Sequence, residues 1–257
     1  MQDFLIVIGA VLVFISLVFA VAMYLKRLDV VDIAWGGAFI VAALTSFFIG
    51  GEQGGAQTLV TGLVIIWGLR LGLSILRRFY GSKKEDERYT ELRKQWKGNL
   101  YLNAYIRIFL IQGVLAIAVS LSVIVMNLSE PRSVGVLALI GLIIWSIGFY
   151  YESVGDEQLR RHLANPANKG KLMTSGLWRY TRHPNYFGES VQWWGIWIIA
   201  LAVPWGWATI VAPLTITILL LFVSGVALTE KRFEGRHGWS EYKRSTSVFI
   251  PLPPKHS

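Results

Sequence analysis

The sequence predicts an all-α, polytopic membrane protein: a bundle of seven transmembrane helices with its long aqueous segments gathered on one side. Three observations carry that expectation. The 257 residues are 54% hydrophobic and only 16% charged, with a mean hydropathy of +0.49. A soluble domain of this length carries more charge, whereas a bundle solvated by lipid needs little. The apolar residues come in runs of roughly 20, the length that crosses the hydrocarbon core as a helix, without the alternation of a barrel strand. The basic residues, finally, are confined to alternate loops.

The runs fall at about 4–25, 31–50, 58–76, 106–127, 134–151, 186–203 and 207–228. The first lacks a basic leading region and a small-residue cleavage site, so it reads as a retained span and not as a signal peptide. The sixth, "YFGESVQWWGIWIIALAV", is the shortest and carries a carboxylate near its start. No inverted repeat is present, and no span reads as broken by Gly or Pro at mid-membrane, which a transporter would favour. Residues 1–257 are therefore expected to form a single integral membrane domain.

All but Arg70, Arg107 and Arg132 of the 25 Lys and Arg residues follow spans 1, 3, 5 and 7. The positive-inside rule then places the N-terminus outside and the C-terminus in the cytoplasm, as in a bacterial inner membrane. The net charge of +9 is spread between apolar runs and not gathered on one soluble module, so nucleic acid is not the expected partner; the bilayer is. The outer loops are short and the inner segments 77–105, 152–185 and 229–257 are long, so aqueous chemistry faces inward. Cysteine is absent, and the four histidines show no ligand spacing, so no metal site is expected.

Several polar residues exceed what a membrane bundle requires. Arg70 lies inside span 3, two helical turns from Arg77 and Arg78; it either snorkels or meets an anion, and guanidinium forks suit phosphate. Glu152, Asp156 and Arg160 share a helix face by their spacing of four. They form either a salt-bridged surface or a set of acceptors for hydroxyl or base donors. Asp29 reads as a water-facing N-cap of span 2, while Asp32, three residues on, needs a partner if buried. In "GLWRYTRHPNYFGE" (176–189), Pro184 suits the first turn of span 6, and Asn185 and Glu189 stack one turn apart. Trp178, Tyr180 and Tyr186 are explained as an aromatic belt, but Arg179, Arg182, His183, Asn185 and Glu189 are not; a helix start beside two arginines suits an anion. The tail "STSVFIPLPP" is too apolar to hang free and should fold back onto the bundle.

"SGLWRYTRHPNYFGE", the C-terminal "EY…TSVFIP", "DVVDIAWG" and "EDERYTELRKQW" together resemble the steroid 5α-reductase-like membrane proteins of bacteria, a group related to sterol reductases and isoprenylcysteine carboxyl methyltransferases. The likeness spans the chain and is most specific at about 134–254. It implies a seven-helix bundle whose cytoplasmic loops cap NADPH, which reduces a C=C bond of an enone in a steroid or other apolar lipid. By the same resemblance Arg70 would meet cofactor phosphates, and Arg78, Arg179 and Arg182 are the other guanidinium groups that suit them. Glu152, Asp156, His183, Asn185, Tyr186, Glu189 and Tyr242 would line the rest of the cofactor site. Asp32 would be the catalytic carboxylate and Asn185 would serve the nicotinamide side. Three residues before Arg70, where the reductases have their catalytic tyrosine, this chain has Trp67, whose indole donates one hydrogen bond but is no proton source. The alternatives are an S-adenosylmethionine-dependent methyltransferase of the isoprenylcysteine type, and a membrane scaffold or transporter. The first expects two adjacent glutamates where this chain has Glu230-Lys231.

Overall fold

The computed structural model describes residues 1–82 and 84–255, so Lys83 and the last two residues lie outside it. The chain divides into two compact units, Met1–Val136 with Ala200–Ala212, and Leu137–Ile199 with Pro213–Ser257.

The first unit opens with helices α1 (Gln2–Leu25), α2 (Val30–Ile49) and α3 (Gly55–Gly81). Lys26 takes the left-handed conformation after α1 and returns its N–H to Ala22 and Met23, which reverses the chain in a few residues. α2 and α3 touch backbone to backbone: a Cβ on Gly36 would overlap the carbonyl oxygen of Gly68. Small residues allow such approach where van der Waals contact, and not the hydrophobic effect, must hold helices together. The short helices α4 (Glu87–Lys94) and α5 (Leu100–Ala104) precede a π-helical stretch, Tyr105–Leu110, that runs into α6 (Ile111–Asn127). Asn127 is fully buried, and its amide donates to Ala43 O, Ser46 Oγ and Thr61 Oγ1 at 3.0–3.1 Å. A buried carboxamide without such partners would cost about 1–3 kcal/mol.

The second unit holds α7 (Val136–Ala164) and α8 (Pro184–Ala200) but for one terminal residue of each, α9 (Val211–Ile218) from Pro213 on, α10 (Val226–Phe233) and α11 (Trp239–Ser245). α7 carries glycines at 141, 148 and 155, and α8 at 188 and 195, each row repeating every seven residues on one helix face. The rows mesh. A Cβ on Gly141 would strike Gly195 O, one on Gly148 would strike Gly188 O, and one on Gly155 would crowd Pro184 and Asn185. α8 begins on Pro184, as the sequence predicts, because a missing N–H costs nothing in the first turn. The apolar tail does fold back: Thr181 and Ser247 form a parallel backbone bridge, and Leu252 N–H donates to Tyr180 O at 3.0 Å.

Six helices among the described residues are long and apolar enough to cross a membrane. Helix α8, at the expected sixth span, has 17 residues, about 25 Å at 1.5 Å per residue, against a hydrocarbon core of about 30 Å. The last span-length stretch, Gly206–Phe233, is not α-helical throughout. A π-helical turn, Leu219–Val223, is followed by a break at Ser224–Gly225, where a Cβ on Gly225 would overlap Leu220 O. Ser224 and Gly225 are weak helix formers, and the π-turn leaves backbone groups that the 3.6-residue period cannot pair.

Candidate active site

Each unit holds a cluster of the polar residues that the sequence singles out. In the first, Asp32 sits in the opening turn of α2 and accepts one hydrogen bond on each carboxylate oxygen. Tyr89 Oη donates to Oδ1 at 2.6 Å and Arg88 Nη2 to Oδ2 at 2.8 Å. Both donors lie in the first turn of α4, which Asp86 caps by accepting the Arg88 N–H at 2.9 Å. Asp29 is not a water-facing cap, as expected from sequence. It is buried, is gripped by Arg27 through two hydrogen bonds at 2.7 and 3.0 Å, and accepts the Asp86 N–H at 3.1 Å. Glu85 accepts from the Leu28 N–H at 2.6 Å and pairs with Arg93 at 2.5 Å. Four acids and three arginines thus tie α4 to the corner between α1 and α2.

Burial pushes the Tyr89 phenol above the ordinary tyrosine range, and the neighbouring Asp32 carboxylate pushes it further. The phenol is therefore protonated at neutral pH. Burial opposes the charge of Arg88, but the carboxylates of Asp86 and Asp32 outweigh it and raise the guanidinium pKa. Trp67 is buried on α3, edge-to-face with Phe39 at 5.1 Å. Arg70 is partly buried one turn on, while Arg78 is exposed.

In the second unit the glycine seam brings α7 and α8 close enough for their polar side chains to meet. Asn185 Nδ2 donates to Asp156 Oδ1 at 3.0 Å, and Gln192 Nε2 donates to Glu152 Oε2 at 2.6 Å. Glu152 and Gln192 are buried. The carbonyl oxygens of both carboxamides, Asn185 Oδ1 and Gln192 Oε1, are also buried and have no hydrogen-bond partner. Such orphan acceptors cost about 1–3 kcal/mol each unless a ligand meets them.

Arg182 is placed otherwise than a phosphate contact requires. It is buried, pairs with Glu230 through Nε and Nη2 at 2.8 and 2.6 Å, and donates through Nη1 to Lys243 O and Thr246 O. It ties the C-terminal segment to the start of α8. His183 lies 3.4 Å from the same Glu230 oxygen and stacks on Tyr186. Burial holds the His183 pKa below its ordinary value, although Glu230 opposes the shift, so the ring is neutral. Tyr242 donates its phenol to Trp178 O, and Trp178 Nε1 donates to Gly155 O. Arg179 is exposed, and Glu189 is buried one turn beyond Asn185. Arg160 pairs with Glu157.

Arg88, Tyr89, Gln192 and Glu230 carry contacts to which the sequence reading gave no role. For Arg88 and Tyr89 a signal existed, since "EDERYTELRK" pairs an N-cap aspartate with a short amphipathic helix. Nothing in the sequence pointed that helix at Asp32.

A family model described as "Protein of unknown function (DUF1295)" matches residues 18–246. Over 131 residues, 49% of this chain, the sequence is 31% identical to a Bos taurus protein named 3-oxo-5-alpha-steroid 4-dehydrogenase 1, of which it covers 44%. A Rattus norvegicus protein of the same name is 30% identical over 120 residues, 44% of this chain and 41% of that protein. The chain thus spans less than half the length of these relatives. No solved structure matches.

Proposed function

This chain belongs to the DUF1295 family, the steroid 5α-reductase-like family, and from that premise we propose that it is a multi-pass membrane oxidoreductase that uses NADPH to reduce a C=C bond conjugated to a carbonyl in a steroid or other apolar lipid. The observation that carries the reading is the buried, unpartnered Asn185 Oδ1 beside Asp156. An acceptor of that kind fits a carboxamide N–H of nicotinamide, and Asp156 fits a ribose hydroxyl. NADPH, when bound, supplies a hydride.

The chain's own residues do the remaining work. Asn185, held by Asp156, orients the carboxamide. Gln192 and Glu152 extend the row of acceptors along α7 and α8. Arg179, exposed in the same unit, answers the phosphates, as guanidinium forks do in dinucleotide sites generally. Arg182, spent on Glu230, acts one step back by holding the C-terminal segment, and with it Tyr242, in place. An open apolar groove of about 330 Å³, lined by Phe14, Leu17, Val18, Val21 and the Asp32 neighbours Val30 and Ile33, suits an acceptor without charge. The substrate, the preference for NADPH over NADH, and an inner-membrane location with the N-terminus outside all belong to this proposal.

The test is a thermal-shift titration of the detergent-purified chain against NADPH, NADH and S-adenosylmethionine. Stabilisation by NADPH, lost in Asn185→Ala, is the expected outcome. Stabilisation by S-adenosylmethionine alone would transfer the site to the methyltransferase reading.

A further inference from the structure

The C-terminal segment keeps apolar side chains in the open while its backbone is held fast. It runs beside Tyr180–Arg182: Thr181 Oγ1 donates to Phe249 O at 2.8 Å, Arg182 N–H to Ser247 O at 2.9 Å and Leu252 N–H to Tyr180 O at 3.0 Å. Phe249 turns inward and meets the Phe187 ring of α8 edge-to-face at 5.8 Å. Its neighbours turn outward. Val248, Ile250 and Leu252 are 40–60% exposed, and so is Tyr180 beside them. Lys243, Arg244 and Lys255 are exposed on the same segment, and the Lys255 N–H donates to Ser245 O at 2.9 Å, which returns the last cation to the first two. Between residues 239 and 255 the one acid is Glu241.

Neither water nor hydrocarbon suits this surface. Water disfavours a fixed row of aliphatic side chains. Hydrocarbon disfavours the backbone, because residues 246–255 form no helix that would satisfy their N–H and C=O groups. The boundary between lipid headgroups and acyl chains accepts both. The segment also lies at that level, since Tyr180–Arg182, to which it is bonded, precede Pro184, the first residue of α8, by two to four residues. On the inward orientation given above, and independently of the cofactor, we propose that this face is a docking surface for anionic phospholipid of the inner leaflet. Val248, Ile250 and Leu252 dip among the acyl chains, Tyr180 sits at headgroup level, and Lys243, Arg244 and Lys255 face the lipid phosphates. The charge favours lipid over a protein partner: three cations and one acid around an aliphatic row match a surface that is anionic outside and aliphatic within. The lipid holds from outside the same segment that Arg182 holds from inside through Lys243 O and Thr246 O.

The chain has no cysteine, so single cysteines can be introduced and labelled one at a time. Bimane is attached to Ile250→Cys, to Leu252→Cys and, as an aqueous control on an exposed residue of the same unit, to Lys169→Cys. Each full-length protein is placed in nanodiscs of phosphatidylcholine with or without phosphatidylglycerol. Lipids brominated near the headgroup should quench positions 250 and 252 about twofold, and position 169 by less than about a tenth, because interfacial segments sit about 5–10 Å into the headgroup–acyl boundary. Phosphatidylglycerol should strengthen the quenching, and Lys243→Gln combined with Arg244→Gln and Lys255→Gln should return it to the phosphatidylcholine level. Equal quenching in the two lipids would overturn the anionic recognition, and no quenching at either position would overturn the docking. A label at 250 shielded from aqueous iodide and from brominated lipid alike would mean that protein covers the strip, and the assignment to lipid would fall. The two labelled positions are exposed, so both proteins should melt within about 3 °C of wild type; if one does not fold, the other decides. A membrane-impermeant maleimide that labels position 169 from outside spheroplasts would overturn the inward orientation itself, whatever the quenching, which separates the two failures.

Discussion

Asp32 and its neighbours in the first unit, and Glu152 and Asp156 in the second, take hydrogen bonds from different kinds of donor. In the first, Asp29, Asp32, Glu85 and Asp86 meet Arg27, Arg88 and Arg93, brought in by a loop and the eight-residue helix α4. In the second, Glu152 and Asp156 meet the carboxamides of Gln192 and Asn185, brought in by the packing of two long helices. A guanidinium donates to its carboxylate and presents no acceptor of its own. A carboxamide donates through nitrogen and leaves its own oxygen over, and here both of those oxygens are buried and unmet. The first arrangement holds a segment down and places Tyr89. The second leaves acceptors for something that is not protein.

Breaking the glycine seam is expected to have the largest effect. Gly188→Leu puts a side chain against Glu152 N and Gly148 O, both backbone, so the helices must separate. We expect a loss of about 3 kcal/mol or more, with no cooperative melt in detergent. A variant with a wild-type melt would mean that the seam does not set the α7–α8 distance.

Next is Arg182→Ala, which leaves Glu230 only its longer contacts to His183 and Lys243, at 3.4 and 4.0 Å, and takes the Arg182 donor from two C-terminal carbonyls. Losing one member of a largely buried pair costs about 3 kcal/mol. Limited proteolysis should then cut between 243 and 252 while α7 and α8 stay protected, and an unchanged digestion pattern would refute the tethering role.

Smaller in stability but sharper in function is Asn185→Ala. It removes an orphan acceptor together with its donor to Asp156, so the melting temperature should move little while NADPH affinity falls about tenfold. If affinity is kept, the orphan oxygen is a packing defect and not a ligand contact.

His183 gives a pH signature. Its folded pKa lies below the ordinary value because burial disfavours the cation, so the unfolded chain binds more protons as the pH drops. Stability is therefore full above the unfolded histidine pKa of about 6.5 and declines as the pH falls through it toward the folded value. His183→Gln should flatten the fall in melting temperature between pH 7 and 5 relative to wild type, and equal slopes would assign that fall to other groups. Smallest of all is Glu157→Gln: Glu157 pairs with Arg160 and Arg161 at the exposed end of α7, where solvent screens the charges, so no measurable change is expected in melting or binding.

Residue types and helix ends were open to reading from the sequence. Pro184 marks the start of α8, and the apolar tail after residue 245 had to fold back, because an extended run of that composition is unstable in water. The interruption at Leu219–Gly225 was not open to reading, because the residues around it are apolar and the hydropathy pattern is the same for α- and π-helix. Arg182 shows the same limit on the site side. A buried arginine near a helix start reads as an anion contact until its carboxylate is found, and Glu230 lies far along the chain.

The sequence by itself determined that this is a helical membrane protein of the steroid 5α-reductase-like family, since hydrophobic length and local motif chemistry are written in consecutive residues. Only the tertiary structure decided which donor meets which acid. Such pairs join residues 29 to 57 positions apart, as with Asn185 and Asp156 or Tyr89 and Asp32. Their distance is set by glycines and short helices that bring backbones together, and no local pattern encodes that.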